Sequence, residues 1–424
     1  MTLITAEAGY ASDEVLQQKV IKLETKIEEL QRKTTRKDKS LRDDITKIEQ
    51  RVKINGFLTA GLSTSDSEAA TIFNEISNDR VSTQADSILG LQFALKINEK
   101  ADATVQLVSK GISDYEANTE WAYLSYKIND DLTARAGRFK IPFYMLSNSI
   151  DVKFVYPWVR LPVEVYSLTV SDAEMFDLIY RYNLGHYNFK VQLLAGTSTD
   201  QQQISTEKLA VDSQISPGLV VEITRGNWLT RLGYLRGTVN ISSPGFDTLD
   251  TQFANLGIDP LGADKSTTTY ANIGVIYNNG IYQVLSEAYD LSFEDTLAPA
   301  SRGGYIALAR RFGDWSPFIS LATLKTINDS DRDDALQIIN QELPSLAPIA
   351  ESLFNVLKTT QDSVSLGVRW DFSPGIALKA QVDRAGNFDN TPGTFAVLND
   401  DQGLPTPLTD KQVYVYSITL DSVF

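Results

Sequence analysis

The chain has 424 residues, of which 42% are hydrophobic, 10% aromatic and 22% charged. This composition is typical of a folded protein and is too apolar for a disordered one. The net charge of −15 argues against a protein that binds nucleic acid, which needs an excess of bases. The chain has no cysteine and a single histidine, which excludes disulfide frameworks and leaves little basis for metal or triad chemistry. We therefore expect no cofactor, no metal site and no catalytic residues.

The N-terminal segment divides into a short tail and a helix. Residues 1–12 are predicted to be a tail. Within it, Ala6-Glu7-Ala8 resembles a signal-cleavage site, so the tail is either a trimmed export signal or an unstructured end. Residues 13–52 contain no Gly or Pro and are predicted to be helical.

Apolar residues recur along this helix at alternating steps of four and three, which is the seam of a coiled coil. The seam residues are Leu16, Val20, Leu23, Ile27 and Leu30. Thr34 and Lys37 occupy the next seam positions and weaken it. Val and Ile at one seam position with Leu at the other favour a dimer by side-chain shape. A single amphipathic helix packed on the rest of the protein is the alternative.

From residue 53 to 424 the apolar period becomes two, as in β-strands with two different faces. The clearest segments are 91–97, 176–182, 189–193, 364–370 and 376–382. Seven short turns alternate with long loops at about 62–86, 109–118, 139–169, 196–216, 237–266, 290–302, 327–361 and 384–410. Residues 334–358 carry a helical period inside one of these loops.

This sorting of turns and loops predicts an all-β fold: a 16-stranded antiparallel transmembrane β-barrel preceded by an N-terminal α-helical coiled coil. Outer-membrane barrels have short turns at the periplasmic end and long loops outside. In the last strand, Tyr416, Ile418 and Leu420 share one face with the final Phe424. A last strand that ends in Phe resembles the signal recognised by the bacterial barrel-assembly machinery.

These features resemble the trimeric sixteen-stranded porins of Gram-negative outer membranes, and more narrowly the DcaP-like porins, which have a periplasmic coiled coil before the barrel. The resemblance is carried by segments 53–57, 136–143 and 157–166 and by Phe424. It implies a homotrimer surrounded by outer-membrane lipid and lipopolysaccharide, with the third loop, 139–169, folded into each barrel as a constriction. The implied trimer conflicts with the dimer-favouring seam, and we follow the barrel because the seam is interrupted.

Charge indicates which solutes such a channel would accept. Loop 62–86 holds five acids and one base, and loop 327–361 six acids and two bases, so much of the negative charge is external. The polar face of each strand points to the lumen. The predicted constriction and lumen residues are Lys96, Arg135, Arg138, Lys140, Lys153, Arg160, Arg181, Arg231, Arg369 and Lys379, with the acids Asp151 and Glu164.

A pore lined by Arg and Lys favours anions. The sequence therefore predicts a passive diffusion channel for small hydrophilic solutes with a preference for small anionic solutes. The more specific expectation of dicarboxylates rests on the DcaP resemblance alone. Two alternatives stay open. Each base could be a salt-bridged wall residue without a solute role, and the whole protein could be a structural or adhesive outer-membrane protein.

Overall fold

The computed structural model describes residues 4–72, 74–168, 170–204, 207–399, 405, 406, 408 and 410–424, with the backbone alone at 4–17, 41–50, 201–204, 207–208, 398–399 and 405–406. The chain forms two compact units, Met1–Lys53 and Ile54–Phe424. Among the described residues, no helix is both long enough and apolar enough to cross a membrane.

The first unit is one helix, α1 (Ile4–Arg51). It begins before the predicted residue 13, so residues 4–12 belong to the helix and not to a tail. Three alanines in this stretch explain the extension, since Ala has the highest helix propensity. Seam residues Val20, Leu23 and Ile27 are 48%, 61% and 52% exposed. A narrow apolar stripe is therefore open on α1, and its assembly into a coiled coil stays a prediction.

The second unit is a closed barrel of sixteen antiparallel strands, which confirms the predicted barrel. Each strand pairs with its neighbours in sequence, and β1 closes against β18. The barrel strands are β1 (Val52–Ser65), β2 (Ile88–Lys96), β3 (Ala101–Lys110), β4 (Ala117–Lys127), β5 (Leu132–Lys140), β6 (Asp172–Leu184), β7 (Tyr187–Ile204), β8 (Glu207–Arg225), β9 (Trp228–Ser242), β10 (Ala263–Asn278), β11 (Tyr282–Phe293), β12 (Ser301–Arg310), β13 (Trp315–Thr326), β14 (Thr360–Ser373), β15 (Ile376–Gly386) and β18 (Gln412–Val423). Two short strands, β16 (Leu398–Asn399) and β17 (Pro405–Thr406), form a separate pair.

Seven connections at one end of the barrel, the short-turn end, have two to four residues, as predicted. Five of them contain a glycine with positive φ, including Gly280 at 83° and Gly375 at 74°. Glycine adopts this left-handed conformation without the steric cost of a Cβ atom, and tight hairpins require it.

Most connections at the opposite, long-loop end are extended. We number them loop 1 (66–87), loop 2 (111–116), loop 3 (141–171), loop 5 (243–262), loop 6 (294–300), loop 7 (327–359) and loop 8 (387–411). The predicted fourth loop, 196–216, is wrong, because β7 and β8 continue as a paired hairpin to Ile204 and Glu207. This hairpin extends beyond the part of the barrel that needs an apolar outer face. Its residues 201–203 are all glutamine and therefore do not alternate between apolar and polar.

The two faces of each strand differ in burial. In β18, Tyr416, Ile418 and Leu420 point outward and are 45%, 49% and 44% exposed. The alternate residues Thr419 and Asp421 point inward and are buried. The predicted division of this strand into two faces is confirmed.

Aromatic side chains are concentrated on the outer face near the short-turn end. Tyr126, Tyr182, Trp228 and Phe372 are each about half exposed there. The rings of Trp315 on β13 and Trp370 on β14 stack, with centroids 5.0 Å apart and an interplanar angle of 3°. Such a girdle is typical of a barrel at a membrane–water interface.

Loops 5, 6 and 7 form what we call the helical cap. It contains α2 (Pro244–Asn255), α3 (Asp329–Glu342) and α4 (Ala347–Leu357), and the latter two confirm the helical period predicted over 334–358. Phe253, Ile339 and Phe354, one from each helix, are buried together with Leu297 of loop 6. The cap therefore has its own hydrophobic core, separate from the lumen.

Candidate channel constriction

Loop 3 lies inside the barrel. Its Ile141, Tyr144 and Trp158 are almost fully buried in one cluster with inward side chains of β6 to β13. The ring of Trp158 contacts that of Phe318 on β13, with centroids 6.0 Å apart. Phe143 contacts Tyr270 on β10 at 4.9 Å. Aromatic side chains of loop 3 thus attach the loop to the barrel wall.

Three wall bases donate hydrogen bonds to backbone carbonyls of loop 3. Arg231 on β9 donates to the carbonyl oxygens of residues 142 and 143, the latter at 3.0 Å. Arg369 on β14 donates to those of residues 154 and 156, and Lys379 on β15 to those of 153 and 158 at 2.6 and 2.9 Å. A buried loop outside any sheet needs such donors, because its carbonyls are cut off from water. These bases anchor the loop.

The bases of loop 3 itself are paired with acids. Lys153 Nζ lies 3.0 Å from one oxygen of Asp86 in loop 1. Arg160 lies 2.5 Å from the other oxygen of Asp86 and 2.8 Å from Asp383 on β15. Burial alone would raise the pKa of Asp86, but Arg160 and Lys153 together lower it to about 2. Asp86 is therefore ionised at any physiological pH.

A second ionic cluster fixes the start of loop 3. Lys140, at the end of β5, contacts Glu120 and lies 3.2 Å from Asp151. Lys110 on β3 joins the same two acids. Burial would raise the pKa of Asp151, but the two lysines hold it well below its usual range. Lys140 and Asp151, both predicted as constriction residues, thus form a salt bridge between the end of β5 and loop 3.

The structure separates Arg135 from Arg138. Arg135 faces the lumen, forms an ion pair with Asp177 on β6 and lies over the Phe139 ring at 4.5 Å. Arg138 is on the opposite, outer face, in register with the exposed Glu174, and it pairs with Glu174 and Asp172. Its prediction as a lumen residue is wrong. Strand β5 continues to residue 140, beyond the predicted start of the loop, so strand parity decides the direction of Arg138.

The remaining predicted residues, Lys96, Arg181 and Glu164, lie at different distances from the short-turn end of the barrel. Lys96 and Arg181 are inward and exposed near the short-turn end, and neither forms an ion pair with a described residue. Glu164 of loop 3 is 1% exposed and accepts a hydrogen bond from Gln361 at 2.7 Å. Burial raises the pKa of Glu164, because no described Lys or Arg pairs with it.

Space remains on both sides of these anchors. A cavity of about 50 Å³ adjoins Arg160, Glu164 and Asp383. About half of its other lining is apolar, and the rest is uncharged and polar: Thr71, Asn74, Gln361, Ser363, Ser365, Gln381 and Thr394. Towards the short-turn end, a cavity of about 780 Å³ lies between Phe154 and Pro157 of loop 3 and the turns at Gly280 and Gly375. Loop 3 therefore divides the lumen at a narrow level.

Several ionic partners in this arrangement are missing from the predicted set, among them Asp86, Lys110, Glu120, Asp177 and Asp383. Two of them, Asp86 and Glu120, lie at positions that strand parity does not decide. Asp86 lies in an acidic loop that shows no sequence sign of an inward position. Glu120 is buried at an irregularity in the β3–β4 register, between the partners of Gln106 and Leu107. Neither position could be assigned from a strand period. Groups of three or more His, Cys, Asp or Glu suited to a metal ion do not occur among the described residues.

No protein-family model matches this sequence, and a search of curated proteins finds no match. Solved structures do match. An anion-selective porin from Comamonas acidovorans has 12% identity and a TM-score of 0.53, over 88% of this chain and 99% of that chain. The outer membrane channel DcaP of Acinetobacter baumannii has 11% identity and a TM-score of 0.52, over 88% and 97%.

A third matching structure is OmpF of Salmonella typhi in complex with daunomycin. It has 10% identity and a TM-score of 0.52, over 88% of this chain and 97% of that chain. At these identities the likeness concerns the fold. The chain has the closed 16-stranded barrel that outer-membrane porins have.

Proposed function

We propose that this chain is an outer-membrane porin: a passive diffusion channel for small hydrophilic solutes, without enzymatic activity. The position of loop 3 carries the proposal. A 16-stranded barrel encloses more space than its wall side chains fill. The wall bases Arg231, Arg369 and Lys379 anchor loop 3 in that space. The loop would narrow the lumen and so select solutes by size.

The apolar outer face and its aromatic girdle support a location in the outer membrane of a Gram-negative bacterium. We place the short turns on the periplasmic side. Strand β1 begins and strand β18 ends at this same short-turn end, where the backbones of Gly56 and Phe424 are joined by hydrogen bonds. Helix α1 would then be periplasmic, where its open seam of Val20, Leu23 and Ile27 supports a coiled coil.

We further propose a homotrimer of the DcaP-like kind, in contact with outer-membrane lipid and lipopolysaccharide. The support is the fold, the preceding helix and the sequence segments named above. The trimer is proposed to form mainly through the barrel walls, because Thr34 and Lys37 interrupt the seam of α1.

A preference for anions such as dicarboxylates is the finer part of the proposal. Among the predicted bases, its support comes from Lys96 and Arg181, which are inward, exposed and without an ion pair among the described residues. Lys127, which was not predicted, has the same properties. Most of the other predicted bases neutralise acids or bind carbonyls. Selectivity for anions is therefore expected to be weak, in contrast to a pore with a free basic ring.

Single-channel recording tests the proposal. The purified protein in a planar lipid bilayer should give stepwise conductance in potassium chloride, and a salt gradient should give a small reversal potential of anionic sign. A folded barrel without conductance would contradict the channel and favour a structural or adhesive protein. A reversal potential of cationic sign would contradict only the preference for anions.

A further inference from the structure

Loop 1 is tied to loop 3 by one carboxylate. Asp86 has no exposed side-chain surface, and it accepts hydrogen bonds from Ser63 at 2.5 Å, Lys153 at 3.0 Å and Arg160 at 2.5 Å. Ser63 belongs to the wall strand β1, whereas Lys153 and Arg160 belong to the two limbs of loop 3. A single side chain thus joins the wall to both limbs of the constriction.

Loop 1 holds this carboxylate in a fixed position. Its backbone folds back along β1, where Ser63 and Ser82 exchange two hydrogen bonds of 2.9 and 2.7 Å. Gly61 on β1 provides the space, because a Cβ atom there would lie 2.7 Å from the Cβ of Asp86. The wall is therefore shaped around Asp86, and small movements of this residue are sterically restricted.

The charges around Asp86 cancel. Lys153 and Arg160 contribute two positive charges, and Asp86 and Asp383 two negative charges. Arg160 also adjoins the small cavity beside loop 3, so this neutral cluster borders the narrow level of the lumen. Removing one charge leaves an excess of one unit beside the permeating ion.

We propose that Asp86 positions the part of the constriction loop that carries Lys153 and Arg160, beside the wall bases that bind the loop carbonyls. We further propose that it sets the net charge of this cluster and so influences both the conductance and the ion selectivity of the channel. The proposal rests on the channel function proposed above. Asp86 acts through Lys153 and Arg160: it limits the width by holding both limbs of loop 3, and it keeps the constriction electrically neutral.

Two substitutions separate charge from position. Asp86→Asn should raise single-channel conductance and shift the permeability ratio towards chloride by about six-fold. One unit charge about 8 Å from an ion, at a dielectric constant of about 80, favours chloride and disfavours potassium by about 2.4-fold each. Lys153→Gln should shift the ratio towards potassium by a similar factor. The double variant Asp86→Asn, Lys153→Gln is neutral again, so its reversal potential should return to the wild-type value while its conductance stays raised.

Gly61→Ala tests position alone, because it displaces Asp86 without removing the charge. It should alter conductance and leave the reversal potential unchanged, and it serves if the Asp86 variant fails to fold. Asp290→Asn is the control: it also removes one acid, but Asp290 pairs with Arg302 on β12 at the outer face. It should change neither quantity.

The inference is overturned if Asp86→Asn and Lys153→Gln both keep the wild-type conductance and reversal potential. It is also overturned if the double variant keeps the selectivity of Asp86→Asn, since the cluster charge would then not decide selectivity. A wild-type protein without conductance would reject the proposed channel and the inference together, whereas a conducting wild type with silent variants rejects the inference alone.

Discussion

Lys379 and Asp421 form an ion pair in which neither side chain is exposed to solvent, with Nζ of the lysine 2.7 Å from a carboxylate oxygen. They lie on the inward faces of β15 and β18, which are neighbours in the barrel. The same ammonium group donates hydrogen bonds to two carbonyls of loop 3. One buried charge therefore holds two wall strands and the constriction loop together.

Replacing Lys379 by Met should destabilise the barrel by about 3–5 kcal/mol, because it leaves Asp421 buried without its counter-charge. Urea unfolding of the protein in lipid vesicles measures the loss. Lys96→Met is the matched control: Lys96 is exposed and unpaired among described residues, so its loss should cost less than about 0.5 kcal/mol. Equal stability of the two variants would show that the buried ion pair does not stabilise the barrel.

Glu164 should make selectivity depend on pH. Burial raises its pKa above the ordinary value of 4.5, so it is neutral at low pH and becomes negative as pH rises through the raised pKa. The folded protein favours the neutral form of Glu164. This preference stabilises the folded state fully at low pH, and the stabilisation is lost as pH rises through the raised pKa. Asp383, nearby, adds to the unfavourable charge.

We therefore expect cation permeability to be higher at neutral pH than at acidic pH, because Glu164 becomes negative as pH rises through its raised pKa. Reversal potentials across a potassium chloride gradient measure this. Glu164→Gln should show no such trend. A wild-type channel with the same selectivity at both pH values would refute the role of this carboxyl.

The two ends of the barrel carry different fixed charge. Loop 1 contains five acids and one base, and loop 7 six acids and two bases. Near the short-turn end, the inward Lys96, Lys127 and Arg181 are exposed and have no ion pair among the described residues. The two mouths therefore differ in fixed charge, and such a difference makes ion flow depend on the direction of the field.

The current–voltage curve should accordingly be asymmetric at about 0.1 M salt, where the Debye length is about 10 Å, and nearly symmetric at about 1 M, where it is about 3 Å. Replacing Asp331, Asp333 and Asp334 of loop 7 by Asn should reduce the asymmetry. A symmetric curve at low salt would mean that these loop charges lie too far from the ion path.

Assembly should depend mainly on the barrel. Deleting residues 1–50 should leave a trimer in detergent, because Thr34 and Lys37 interrupt the seam of α1 while the barrel wall offers a wide apolar surface. Light scattering after size-exclusion chromatography gives the mass of the complex. A monomer after the deletion would show that α1 holds the assembly together.

The sequence predicts the barrel because each strand needs an apolar face towards the membrane and a polar face towards the lumen. Segments such as 364–370 alternate strictly, and the turn at Gly375 has the residue that its positive φ requires. The hairpin of β7 and β8 was not predictable in full. The part of the hairpin near Ile204 does not need an apolar outer face and a polar inner face. Its sequence therefore lacks the alternating pattern of a strand and predicts a polar loop.

The constriction was predictable as a segment but not as a set of contacts. The resemblance to sixteen-stranded porins implies a third loop folded into the barrel, and loop 3 packs against inward side chains of the wall. The partner of Arg160 was not readable, because Asp86 is 74 positions away and its inward direction depends on how loop 1 folds against β1. The many inward bases likewise predicted a pore lined by unpaired Lys and Arg, whereas most of these bases bind loop carbonyls or form ion pairs with acids.

Liposome swelling tests most directly whether this barrel is a diffusion channel. Vesicles that contain the purified protein should swell in isotonic solutions of small uncharged solutes, with rates that fall steeply as solute size increases, because loop 3 narrows the lumen. Protein-containing vesicles that swell no faster than protein-free vesicles, for every solute size, would contradict the channel.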